Sequence, residues 1–120
     1  MSKRLSVVLP TFNEKGNIEN TVEKVLHQAN ALPGWEIHIV IADDIRSSDG
    51  TAEIAGKLVS KNRRIHYIKA GSGLGVGLIE GHTFAIEQLR PDVLAQLDAD
   101  GQVVPDVLVS LVEVIEDGYD

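Results

Sequence analysis

At 120 residues, with 43% hydrophobic and 24% charged content, the chain has the size and composition of one globular domain with its own core. A formal charge of −7 without a basic stripe argues against a nucleic-acid backbone as partner, and the lack of cysteine excludes disulfides, zinc ribbons and thiol nucleophiles. No apolar run approaches the roughly 18 residues of a membrane span, and the run after Met1-Ser2-Lys3-Arg4 is too short for a signal peptide, so the expected setting is cytoplasmic.

The elements alternate along the chain. Leu5 to Pro10 is a β-branched apolar run that predicts a buried strand. Ile18, Val22, Val25, Leu26 and Ala29 then share one helical face, and Pro33-Gly34 closes that helix. Glu36 to Ala42 predicts a second strand, and Thr51 to about Lys61 a second helix carrying Ala52, Ala55, Leu58 and Val59. Ile65 to Lys69 predicts a short third strand. A glycine-rich loop leads into a third helix with Ile79, Ala85, Ile86 and Leu89 expected inward. A fourth strand, Val93 to Leu97, ends at Asp98-Ala99-Asp100, and Pro105 opens a fourth helix through Val107, Leu108, Leu111, Val112 and Ile115. Four strand–helix units in succession imply right-handed crossovers. They predict a Rossmann-like, three-layer α/β domain, a parallel sheet with helices on both faces.

The polar clusters all fall at carboxyl ends of predicted strands, where open α/β sheets collect ligands. After the first strand, Pro10-Thr11-Phe12-Asn13-Glu14 offers a ring for stacking and a carboxylate for a nucleobase N–H; its plainer reading is a helix start capped by Thr11 or Asn13. After the second, Asp43 and Asp44 can accept from a base N–H or a ribose hydroxyl, while Ser48 or Asp49 suits the next helix N-cap. The glycines from Gly71 to Gly77 fit neither the dinucleotide fingerprint nor a P-loop. They permit either close backbone approach to a ligand or a flexible turn. After the fourth strand, Asp98 and Asp100 are close anions that repel unless a cation joins them. Hard oxygen ligands there suit Mg²⁺ or Mn²⁺ bound together with substrate phosphates, the plainer alternative being a solvated acidic turn. His27, His38, His66 and His82 lack metal-ligand spacing. His38 and His66 are expected in the sheet, and His82 alone near the crevice.

In this order, Pro10-Thr11-Phe12-Asn13-Glu14, Asp43-Asp44 with Ser48-Asp49-Gly50-Thr51, Gly73-Leu74-Gly75 and Asp98-Ala99-Asp100 resemble family 2 glycosyltransferases. Among them the polyprenyl- and dolichyl-phosphate sugar transferases look most alike. The resemblance spans essentially the whole chain. It implies the nucleotide-diphospho-sugar transferase (GT-A) fold and an inverting transfer from a UDP- or GDP-sugar, with a polyprenyl phosphate at a membrane's inner face as one candidate acceptor. By position it assigns Pro10, Phe12 and Glu14 to the base pocket, with Asp43 and Asp44 as strand-end acids, one of which contacts the base. Gly73 and Gly75 fall in the nucleotide-binding loop. Asp98 and Asp100 would hold the cation and the diphosphate, with Gln102 as a further metal-site residue. The chain departs from the family pattern by one extra residue in Ile45-Arg46-Ser47-Ser48, by Ile45 where glycine is usual, by Phe12 where tyrosine is commoner and by Val76 in a place usually basic or small and polar. The extra residue bears on the shape of the base and ribose pocket. Because family members continue further, the resemblance also implies the donor-nucleotide part of a longer enzyme, inactive alone, with an unfinished sheet edge. Two alternatives from other classes are a non-catalytic nucleotide-binding module and a response-regulator receiver. The receiver would need its acids after the first and third strands rather than the second and fourth.

Overall fold

The computed structural model describes residues 3–99 and 107–117. Strands β1 (Lys3–Thr11), β2 (Trp35–Asp44), β3 (Ile65–Ala70) and β4 (Val93–Gln96) form one parallel sheet in the order β3-β2-β1-β4. Helices α1 (Ile18–Ala29) and α2 (Thr51–Lys61) join β1 to β2 and β2 to β3. Helix α3 (Leu74–Phe84), prolonged by a π-helical turn at Ala85–Leu89, precedes β4, and α4 (Val107–Glu116) follows it. The chain steps outward from β1 to β3, then returns to the far side of β1. The reversal creates a switch point at the carboxyl ends of β1 and β4, where such sheets leave a crevice.

With crossovers of one hand, stepping outward and then back places the connecting helices on opposite faces. Leu5, Val7 and Leu9 of β1 and Ile37, Ile39 and Ile41 of β2 are fully buried in one core with Ile18, Val22 and Val25 of α1, Ala55 and Leu58 of α2, and Leu108 and Val112 of α4. The alternate residues Val8, Val40 and Ala42 meet Ala85 on the other face. Docking of α4 also uses polar groups. The buried Gln28 of α1 accepts the backbone N–H of Leu108 at 2.7 Å, satisfying one of the donors a helix start leaves unpaired.

Helix α3 differs from its expected packing. Ile79 and Ile86 point outward, 69% and 56% exposed, where the apolar pattern places both in the core. The sheet-facing side is made of glycine instead. Gly77 lies near Ala42 O and Pro10 Cβ, and a Cβ on Gly81 would sit 2.6 Å from Val8 Cγ1. The helix therefore rests its backbone almost directly on the sheet, leaving no room for larger side chains. Of the glycines in this run, Gly73 begins the turn with φ +98°, and Gly77 and Gly81 serve close packing.

Two expected caps also move. Helix α1 starts later than expected, with Asn17 as N-cap rather than Thr11 or Asn13. Helix α2 has Gly50 (φ +102°) at its N-cap, and Asp49 acts from the preceding position, its Oδ1 accepting the Thr51 N–H at 3.0 Å.

Candidate functional site

A cleft of about 350 Å³ opens at the switch point. The end of β1 contributes Pro10, Thr11, Phe12 and Glu14, and β2 contributes Ala42, Asp44 and the following Arg46. Helix α3 adds Gly73, Leu74 and Gly77, and Asp98 and Ala99 come from the end of β4. Of the residues singled out in the sequence, the fold brings Pro10, Phe12, Glu14, Asp44, Gly73 and Asp98 together here.

The adjacent acids of β2 diverge because successive strand residues point to opposite faces. Asp43, 1% exposed, faces the α1–α2 side beneath the cleft. Its Oδ1 accepts from Thr11 Oγ1 at 2.8 Å and Ser47 Oγ at 2.7 Å, and its Oδ2 accepts from Tyr67 OH at 2.9 Å. Burial, then the bond to Asp43, raises the Tyr67 hydroxyl above the usual tyrosine range, which keeps it a donor. The carboxylate is thus a hub tying β1, β2, β3 and the loop after β2.

That loop is also stitched to the one after β1. Asn13 N–H donates to Ser47 Oγ at 2.9 Å and Ser48 N–H to Asn13 Oδ1 at 2.8 Å. Glu14 N–H donates to Thr51 Oγ1 and Lys15 N–H to Asp49 Oδ2, each at 3.0 Å. These bonds fix the cleft wall and hold Asn13 in the left-handed region (φ 51°). Ser47, Asp49, Thr51 and Tyr67 support the site in ways that sequence reasoning alone does not assign. A signal for them exists, since hydroxyls and short acids crowd two loops that must meet above a parallel strand pair.

Asp44 faces the cleft. Its Oδ1 accepts Arg46 N–H at 2.8 Å and Arg46 Nε–H at 3.0 Å, and its Oδ2 accepts Arg46 Nη2 and Gly73 N–H, both at 2.8 Å. The Arg46 side chain, above all, holds this carboxyl far below the usual range against the opposing effect of burial, with the Gly73 N–H adding to it. The guanidinium carbon also lies 4.7 Å from the centroid of the Phe12 ring, which is 43% exposed.

Asp98 is exposed at the cleft mouth. Its expected metal partners Asp100 and Gln102 lie outside the described residues. Among the described residues no group of three or more His, Asp or Glu side chains is arranged to hold a metal ion. The donor chemistry nonetheless fits Mg²⁺ or Mn²⁺, which commonly use one or two carboxylates and complete their shell with water and phosphate oxygens. Gly75 is exposed in the first turn of α3 and does not line the cleft. His82 instead meets Gln96 Oε1 at 3.0 Å, and His38 and His66 lie in the sheet, as expected, where their rings stack on each other. No helix among the described residues is long and apolar enough to cross a membrane.

The cleft thus gathers one aromatic ring, the three carboxylates Glu14, Asp44 and Asp98 and a glycine turn at the switch point of a doubly wound parallel sheet, the position at which open α/β sheets bind ligands. Residues 6–120 match the family model described as glycosyl transferase family 2, and the chain belongs to that family. It is 33% identical over 122 residues to a polyprenol monophosphomannose synthase of Mycolicibacterium smegmatis, covering 99% of this chain and 43% of that protein. It is 36% identical over 119 residues to a dolichol-phosphate mannosyltransferase of Pyrococcus furiosus, covering 98% of this chain and 31% of that one. The chain thus spans less than half the length of these curated relatives. Among solved structures, the mannosyltransferase PcManGT of Pyrobaculum calidifontis, in complex with GDP-Man and Mn²⁺, superposes with a TM-score of 0.66 at 20% identity, covering 98% of this chain and 34% of that one. TarS of S. aureus in complex with UDP-GlcNAc gives 0.65 at 19%, covering 95% and 31%. The fold is that of the GT-A glycosyltransferases, as expected, and the family match removes the receiver alternative.

Proposed function

We propose that this chain is the donor-binding part of a metal-dependent inverting glycosyltransferase, taking a UDP- or GDP-sugar and serving transfer to a polyprenyl phosphate. The observation that carries this reading is the convergence of Phe12, Asp44 and Asp98 on one cleft at the switch point. Phe12 supplies a stacking face for the base, Asp44 an acceptor for a base N–H, and Pro10 and Gly77 a close floor. Asp98, with Asp100 and Gln102, would hold Mg²⁺ or Mn²⁺. Held by these residues, the cation would supply stabilisation of the negative charge that builds on the diphosphate as the sugar is transferred. Asp43 acts from below, fixing the strand end that presents Asp44. The names of the relatives support the acceptor class, and the GDP-Man, UDP-GlcNAc and Mn²⁺ complexes of the neighbours support the donor and cation classes. A cytoplasmic site at the inner face of a membrane follows from that acceptor.

Asp98→Ala and Asp100→Ala should each weaken Mn²⁺-dependent binding of the nucleoside diphosphate about 10-fold or more, by removing a metal ligand. Metal-free affinity should stay unchanged. Calorimetry of both variants checks this, and full Mn²⁺-dependent affinity in both would contradict the metal assignment.

A further inference from the structure

Arg46 occupies both halves of the base subsite at once. Its Nε and Nη2 fork onto the two oxygens of Asp44, and the same guanidinium lies over the Phe12 ring at 4.7 Å. A carboxylate offers about four lone-pair positions. Those of Asp44 are all taken, by the Arg46 N–H, Arg46 Nε–H, Arg46 Nη2 and Gly73 N–H. No acceptor is left for a base N–H, and the planar cation covers the surface on which a base would stack. The donors differ in how easily they leave. The backbone N–H groups of Arg46 and Gly73 are fixed by the turn, whereas the Arg46 side chain is 55% exposed and can rotate into solvent. Rotation frees one acceptor position on each oxygen, together with the ring face.

We infer that Arg46 is a base-subsite latch, a guanidinium that stands in for the nucleobase between Phe12 and Asp44 and must be displaced for a nucleotide to bind. The inference rests on the donor-site reading above. Arg46 thereby sets donor affinity without supplying a contact of its own to the base. Lysine cannot form the fork and covers an aromatic face less well than a planar guanidinium, and methionine keeps the stem without charge.

The test uses uridine and guanosine, neutral probes that engage the base subsite without metal, alongside UDP and GDP with Mn²⁺. Displacing the guanidinium from the half-exposed Phe12 ring and from an ion pair whose arginine side is open to solvent costs enough that Arg46→Met should bind the preferred nucleoside about three- to tenfold more tightly than the parent. Arg46→Lys should fall between the two. In the parent, the Arg46 Nε–H resonance should lose its hydrogen-bonded shift as nucleoside is added. Unchanged or weaker nucleoside binding by Arg46→Met, with the parent still binding UDP or GDP, would overturn the latch and leave the donor site standing. Absence of binding to UDP and GDP by the parent and both variants would overturn the donor-site reading, and the latch with it.

Discussion

Replacing Asp43 with alanine should destabilise the domain by about 2–4 kcal/mol, because buried donors that lose their acceptor cost about 1–3 kcal/mol each when water cannot replace it. Thr11 is buried and has no such replacement, whereas Ser47 and Tyr67 are partly open and recover some of the loss from solvent. The three hydroxyls converge on one carboxylate, so the effects should not add. Tyr67→Phe in an Asp43→Ala background should cost much less than in the parent. Denaturant unfolding of the two single variants and the double variant measures this. Additive losses would mean that the hydroxyls find other partners and that Asp43 is not the hub.

The second large effect reverses an ordinary rule. Glycine to alanine in a helix interior usually stabilises by up to about 1 kcal/mol. Gly56, exposed in α2 with open space around the position an added Cβ would take, should follow that rule. Gly81 should not, because its added Cβ would meet Val8 Cγ1 at 2.6 Å and Ala42 Cβ at 3.3 Å. Val8 is fully buried and β-branched, so it cannot turn aside, and Gly81→Ala should destabilise by about 1–3 kcal/mol. Thermal unfolding of the pair should show shifts of opposite sign. Equal stabilisation by both would mean that α3 does not rest on the sheet through its glycines.

Most of the architecture is legible in the sequence because burial on both faces of a parallel sheet leaves continuous β-branched runs, as in Leu5 to Pro10 and Glu36 to Ala42. Helix α2 begins at Thr51 and ends at Lys61, as its pattern predicts. Helix α3 misleads for a physical reason. Apolar periodicity locates a core face only where side chains fill the space, and here glycines bring the backbones together while Ile79 and Ile86 are left outside. At the site, the ends of the predicted strands locate the cleft. They do not divide labour between Asp43 and Asp44 without the strand's parity, which sends neighbouring side chains to opposite faces. Arg46 is visible in the sequence only as part of a loop with one extra residue, since nothing in its spacing shows a guanidinium folding back onto Asp44 and Phe12.

The most direct test of the central claim is calorimetric titration of UDP and GDP into the folded protein, with and without Mn²⁺. One of the two nucleotides should bind, and its affinity should rise when Mn²⁺ is present. Failure of both to bind in the presence of Mn²⁺ would contradict the assignment of this cleft as a donor site.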